Sequence, residues 1–355
     1  MKILVFSERI APPADEGIKN FSLSLAEALR GLGHEVLLLT AQGRDWPERG
    51  VTNVSAGRLL RSSALKRIIR AARPDATVYV PTASLTLGSG IRSRMLKRYG
   101  KGKPVALAAL QGRKHNALSR HLARLAAPDL CLTVSQATRR QATKLGWRTA
   151  GITPIVNSLV FASVSPEEKA DLRKDYGIST EAFVVLHVGH TTASRGIHAL
   201  ASITDLSYPI LLCSRGDSRS EAEMKSLKAS GVHVISAYAK DIQVYYQMAD
   251  VYLFPVTPSE TAPGSIDFPL SVLEALSCNL PVVTTRFGAL PEFWPNRPGV
   301  SFYKTIEELR AAVVRLRHWQ GETKGLVNDF NGKKAAQKIL DLFFLQEAGQ
   351  NGKRE

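Results

Sequence analysis

Short apolar runs recur along the chain, and between them lie stretches whose apolar positions fall three or four residues apart. KILVF at residues 2–6 opens the series as a buried first strand. After APPADEG comes NFSLSLAEALRGLG, in which Phe21, Leu25, Ala28, Leu29 and Leu32 follow helical spacing. Gly33 stops that helix and EVLLLT begins the next strand. ATVYVP, PVALAAL, LCLTVS, FVVLHVGH, PILLCSRG, GVHVISAY and VYLFP continue the strand series. Helical patterns fall between them, in RLLRSSALKRIIRAAR at 58–73, TRRQATKLGW, SPEEKADLRKDYG and KDIQVYYQMAD. A last amphipathic run, KKAAQKILDLFFLQEAG, nears the end of the chain. Apolar strands alternating with helices predict parallel sheets covered on both faces. The 355 residues suffice for two domains of ordinary size.

The most informative stretch runs from Ala249 to Glu292. Two apolar runs, VYLFP and PVVTT, flank the helical LSVLEALSC, and a loop of small and polar residues leads into that helix. A loop at the carboxyl end of a parallel strand is where phosphorylated ligands bind in open sheets. The helix start offers unpaired N–H groups and the positive end of its dipole. Glu274 lies about one turn past that start. A carboxylate there repels phosphate but suits the hydroxyls of a ribose, so the segment reads as a nucleotide-diphosphate site.

MADVYLFP and LEALSCNLPVV, with Glu274, resemble the nucleotide-sugar segment of the family 4 retaining glycosyltransferases. Where that family has a first glutamate, eight residues before Glu274, this chain has Ile266, with Asp267 next to it. The resemblance implies an α/β chain of the GT-B fold: two Rossmann-like domains facing across a cleft, with a C-terminal helix crossing back to the first domain. On that plan residues 1–162 form a basic, acceptor-side domain. Residues 163–330 form the nucleotide-sugar domain, and 331–355 the returning helix and tail.

The implied reaction moves a sugar from a nucleotide diphosphate to an acceptor hydroxyl with retained configuration. The family's donor-binding loop, a glycine followed by two basic residues that clamp the diphosphate, falls on Gly189, His190 and Arg195, with a purely structural role as the alternative for His190. Arg195 suits bidentate phosphate binding, although a solvated surface charge is the alternative. The N–H groups of Leu270 and Ser271 would share the diphosphate. Glu274 would hold the ribose, Tyr238 would either stack on the base or be an ordinary half-buried tyrosine, and backbone around Asp267, Phe268 and Pro269 would read the donor sugar. The family's Gly-Gly loop is reduced to Gly17, which reads either as a close approach to the donor or as a plain turn. Its His-Gly is replaced by Gln111-Gly112; Gln111 can bond a sugar hydroxyl, and His115 is either a substitute base or a surface histidine. The departures leave a second reading open, a catalytically impaired scaffold or nucleotide-binding subunit.

The formal net charge of +16 is unevenly distributed. Residues 51–150 hold 20 Lys and Arg and only two acids, Asp75 and Asp129. Such a bias suggests a face turned toward something anionic. An anionic membrane met through residues 58–148 ranks first, with a glycan or lipid-linked acceptor, and the apolar stripe of 58–73 could insert at the interface. A solvated basic surface and an acidic saccharide are the other readings. No nucleic acid is expected, because no DNA- or RNA-binding signature is visible. Cys131, Cys213 and Cys278 are far apart in apolar contexts and read as buried thiols. No Asp-x-Asp or zinc spacing is present, so no metal or other cofactor is expected. No uncharged apolar run approaches the ~18 residues that span a bilayer. A cytoplasmic protein, peripheral on the inner face of the membrane, is expected.

Overall fold

The computed structural model of the chain describes residues 1–113, 115–191, 195–213, 221–257 and 266–351, the last six as backbone only. The chain divides into two compact units. The first comprises Met1–Ile155, Gly264–Phe268 and Phe330–Glu355; the second comprises Val156–Pro263 and Pro269–Asp329. The first unit thus ends at Ile155 rather than at 162, and it reclaims a short segment from the middle of the second.

The first unit is built on seven parallel strands: β1 (Lys2–Ser7), β2 (Glu35–Thr40), β3 (Val51–Asn53), β4 (Ala76–Tyr79), β5 (Val105–Ala109), β6 (Leu130–Thr133) and β7 (Thr149–Gly151). Their order in the sheet is β3-β2-β1-β4-β5-β6-β7. The crossovers are α1 (Gly17–Gly31), α2 (Ser63–Ala72), α3 (Leu87–Tyr99), α4 (Ala117–Arg124) and α5 (Gln136–Lys144). β4 and β5 are buried at every position, as a central parallel strand covered on both faces must be. β3 and β7, three residues each at the sheet's edges, are too short to show a period in the sequence.

The amphipathic run 58–73 is helical only from Ser63, where the Ser62 hydroxyl accepts from the Leu65 N–H. Leu60 before it takes a left-handed turn at φ 60° and is fully buried. Leu65 and Ile69 join it in the core, and Ile68 packs against that core. The apolar stripe expected to meet a membrane is therefore the inner face of the helix.

The second unit has six parallel strands: β8 (Val184–Val188), β9 (Tyr208–Cys213), β10 (His233–Ser236), β11 (Val251–Phe254), β12 (Val282–Thr284) and β13 (Val300–Phe302). They lie in the order β10-β9-β8-β11-β12-β13. Its helices are α6 (Pro166–Asp175), α7 (Glu221–Ala229), α8 (Gln243–Met248), α9 (Leu270–Ser277), α10 (Leu290–Phe293) and α11 (Ile306–Leu316). After β8 the chain forms a 3-10 helix over Ile197–Ile203. Val185, Leu211, Val251, Leu253 and Val283 line one face of the sheet in the core. The final helix, α12 (Gly332–Asn351), belongs to the first unit, where it packs on α1. Among the described residues no helix is long and apolar enough to cross a membrane.

Candidate functional site

In each sheet the strand order reverses once, between β1 and β4 in the first unit and between β8 and β11 in the second. Where it reverses, the crossover helices leave on opposite faces and a crevice opens at the carboxyl ends of the strands. These are the two places to look for a site.

The first crevice is occupied by the protein itself. Glu8, just past β1, is 3% exposed and accepts from the Tyr79 hydroxyl and from the Thr82 N–H at 2.9 Å. Arg92 pairs with the same carboxylate at 3.1 Å. Burial, then the Glu8 charge, pushes the Tyr79 hydroxyl far above its ordinary range. Gln111 donates to the Thr82 carbonyl at 2.9 Å, which extends the network. His115 is part-buried, with no hydrogen-bond partner for Nε2 among the described residues. Desolvation, with the charges of Arg113 and Arg120, lowers its pKa and keeps it neutral at pH 7. It is thus not a freely solvated surface histidine.

The second crevice is different. Arg195 follows β8, is part-buried, and has neither an acidic nor a hydrogen-bonding partner among the described residues. Burial lowers its pKa, the mark of a cation that has lost water without gaining a counter-charge. Residues 192–194, between His190 and Arg195, lie outside the described residues. Gly196 holds the end of this loop with φ 67°, and a Cβ there would lie 2.1 Å from the Pro255 carbonyl oxygen at the end of β11. Only glycine fits that approach.

β11 leads toward α9, which starts after Pro269 with no side-chain cap. Among the helices of eight residues or more whose starts are described, only α1 and α9 lack such a cap. Gly17 is the first residue of α1, and Leu270 and Ser271 are the first two of α9. Both helices therefore present N–H groups that need an outside acceptor.

Glu274 lies in α9 and accepts from the Tyr246 hydroxyl at 2.7 Å. Tyr246 is fully buried, and its ring meets that of Phe161 nearly at right angles, with centroids 5.6 Å apart. Beside it the fully buried Tyr252 donates to the Val188 carbonyl at 3.2 Å and meets the Ser271 hydroxyl. Burial raises the Glu274 carboxyl to about 7, against the opposing bond from Tyr246. The carboxyl is poised to change charge near neutral pH.

One residue of this crevice was missed in the sequence. His187 in β8 is fully buried, and its Nδ1 lies 2.9 Å from the Leu253 carbonyl of β11. A carbonyl only accepts, so Nδ1 carries the proton and Nε2 is left as an acceptor without a donor. Nε2 faces Gly189, where a Cβ would lie 3.0 Å away. Burial takes the His187 pKa down to about 4, so the ring is neutral. The signal was its place inside FVVLHVGH: the first four positions of this central parallel strand are buried, whatever their polarity.

Other expected residues belong to the first unit or are exposed. Asp267 and Phe268 belong to the first unit. The Asp267 carboxylate accepts from the Gly112 N–H at 3.0 Å and from the hydroxyls of Ser135 and Thr138 at the start of α5. Its own N–H donates to the Leu110 carbonyl at 2.7 Å. Phe268 is buried against Phe330. Asp267 thus presents a carboxylate already held by three donors, and Phe268 is a core side chain. Tyr238, beyond β10, is half exposed, and His190 is exposed. Residues 258–265, which lead into Ile266, lie outside the described residues. Among the described residues no group of three His, Cys, Asp or Glu side chains is placed to hold a metal ion.

Residues 183–318 match the family model described as Glycosyl transferases group 1. A protein of Bacillus subtilis named as a teichuronic acid biosynthesis glycosyltransferase, TuaC, is 24% identical over 199 residues, 54% of this chain and 48% of its own length. The chain thus spans about half the length of the curated relative it matches. Among solved structures, Anabaena HepE in complex with UDP is 17% identical with a TM-score of 0.74, covering 96% of this chain and 99% of its own. A Rickettsia africae glycosyltransferase is 14% identical with a TM-score of 0.75, covering 96% and 98%. At these identities the likeness is one of fold, two parallel-sheet α/β units of GT-B type. Apart from Gly264–Phe268, the matched residues lie within the second unit and include the strands β8 and β11 that flank its crevice.

Proposed function

We propose that this protein is a retaining glycosyltransferase that moves a sugar from a nucleotide diphosphate to an acceptor hydroxyl. The observation that carries the reading is Arg195: a part-buried guanidinium without a counter-ion among the described residues, at the end of β8, next in the sheet to the strand that leads to the uncapped α9. A diphosphate supplies what both lack.

The difficult step is departure of the diphosphate from an oxocarbenium-like sugar carbon. Arg195 and the N–H groups of Leu270 and Ser271 stabilise the charge that grows on the leaving phosphate. Glu274, ionised, accepts from the ribose hydroxyls, with Tyr246 fixing its orientation. The leaving phosphate takes the acceptor's proton, so no protein base is required. No metal is needed where a guanidinium and a helix start hold the phosphates. The excess of Lys and Arg over acids in residues 51–150 supports an anionic surface as the setting, with a glycan or lipid-linked acceptor.

Calorimetric titration with UDP and GDP tests the site, with UDP first because the HepE neighbour was solved with it. Binding of one, followed by hydrolysis of the matching sugar nucleotide, is expected. A folded protein that binds neither overturns the proposal and leaves a scaffold.

A further inference from the structure

We propose that α4 is the element through which this protein docks on an anionic lipid bilayer. α2, the sequence's candidate, has its leucines and isoleucines in the core. α4 has the reverse arrangement. It turns Ala123 inward, where the Trp147 indole donates to its carbonyl at 3.1 Å. It leaves Leu118 68% exposed and Leu125 58% exposed. Seven residues apart, these two lie on one side of the helix, two turns from each other. Large aliphatic side chains so exposed on a helix with its own N-cap, Asn116, are not needed for folding.

The charges around them have one sign. Arg120 and Arg124 are exposed on α4, and Arg139 and Arg140 are exposed on α5. The two helices are tied by Arg124, whose guanidinium donates to the Lys144 carbonyl at 3.1 Å. The two acids of residues 51–150 are committed elsewhere: Asp75 accepts from the Lys2 N–H and Asp129 pairs with Lys97. No carboxylate on α4 or α5 offsets the arginines.

Leucines flanked by arginines match a layer with phosphate at its surface and hydrocarbon beneath. A nucleic acid would use the arginines and leave the leucines in water. A folded protein partner needs far more apolar area than two leucines offer. The nucleotide crevice plays no part in this, so docking and donor binding can fail separately.

The test is co-sedimentation of the whole protein with phosphatidylcholine vesicles, with and without phosphatidylglycerol. Binding is expected only with the anionic lipid, and it should weaken as salt rises. L118S/L125S should lower partitioning by about tenfold, because the insertion is lost. R120E/R124E should lower it by at least roughly 25-fold, about fivefold for each basic charge removed. R67E/R70E on the outer face of α2 should change it by no more than about twofold at moderate salt. Fluorescence of L118W should be quenched by brominated acyl chains in anionic vesicles. All variants should keep their circular dichroism and their nucleotide binding. The proposal is overturned if the wild type ignores lipid charge, if L118S/L125S binds as well as the wild type, or if R67E/R70E loses as much as R120E/R124E. Loss of heparin binding in the α4 variants with vesicle binding intact would overturn it in favour of a soluble polyanion.

Discussion

On the proposed function, Arg195 and Glu274 meet the diphosphate and the ribose. Arg195→Ala and Glu274→Ala should each weaken nucleotide binding or donor use by at least about tenfold, since each removes a charged contact of about 1.5–3 kcal/mol. Calorimetry and donor hydrolysis read this directly, and unchanged values in both variants would remove the assigned site. Glu274 also sets a pH dependence. Its folded pKa of about 7 lies above the ordinary 4.5, so between those values the folded chain holds a proton that the unfolded chain has released. Stability contributed by that carboxyl is therefore largest at low pH and falls as pH rises toward 7, by roughly 2–3 kcal/mol in total. Nucleotide hydroxyls favour the ionised form, so binding near pH 6 should release a proton. Titration in two buffers of different ionisation heat would show that release, and Glu274→Gln should abolish it. Arg195 was legible as a candidate phosphate ligand from its place between a strand and a glycine. That no counter-ion meets it among the described residues was not, because that depends on what the rest of the fold leaves unpaired.

At the scale of elements, the strand, loop, helix and strand of 249–292 were readable because VYLFP and the Pro-Val-Val that opens PVVTT are apolar. What could not be read is that the chain changes units at Phe268. Asp267, by sequence a neighbour of α9, is bound by donors more than 120 positions earlier. Removing its carboxylate leaves the Gly112 N–H and two hydroxyls without their acceptor. Asp267→Ala should cost about 1–3 kcal/mol of stability, seen as a lower thermal midpoint. An unchanged midpoint would mean that these bonds are replaced by water without loss. The 58–73 stripe shows the same limit: its period predicts an apolar face, and only packing decides whether that face meets a core or a bilayer.

For the whole molecule, the returning helix matters most. α12 places Ile339, Leu340 and Phe343 in the core of the first unit, each 1% exposed. At roughly 1.5–3 kcal/mol for each such side chain, their loss approaches the 5–15 kcal/mol by which a typical domain is stable. A chain ending before Gly332 should therefore lose the first unit's cooperative unfolding transition, measured by circular dichroism and hydrogen exchange, and should become poorly soluble. Retention of a normal transition would show that α12 is dispensable. The two sheets also share a plan, a single reversal of strand order, yet among the described residues the second leaves Arg195 without a counter-ion at that point. In the first, Glu8, Tyr79 and Arg92 satisfy one another.

By itself the sequence determined the alternation of strands and helices, because burial on both faces of a parallel sheet demands continuous apolar runs. It also determined the chemistry available after β8 and β11, because a ligand loop there needs small residues and an arginine cannot be disguised. Tertiary structure decided everything that depends on distance in space: that His187 keeps an acceptor facing Gly189, that Asp267 serves the first unit, and that α4 rather than α2 leaves its leucines in water. Those outcomes rest on which surfaces are covered by residues far away in the chain, and no local pattern carries that information.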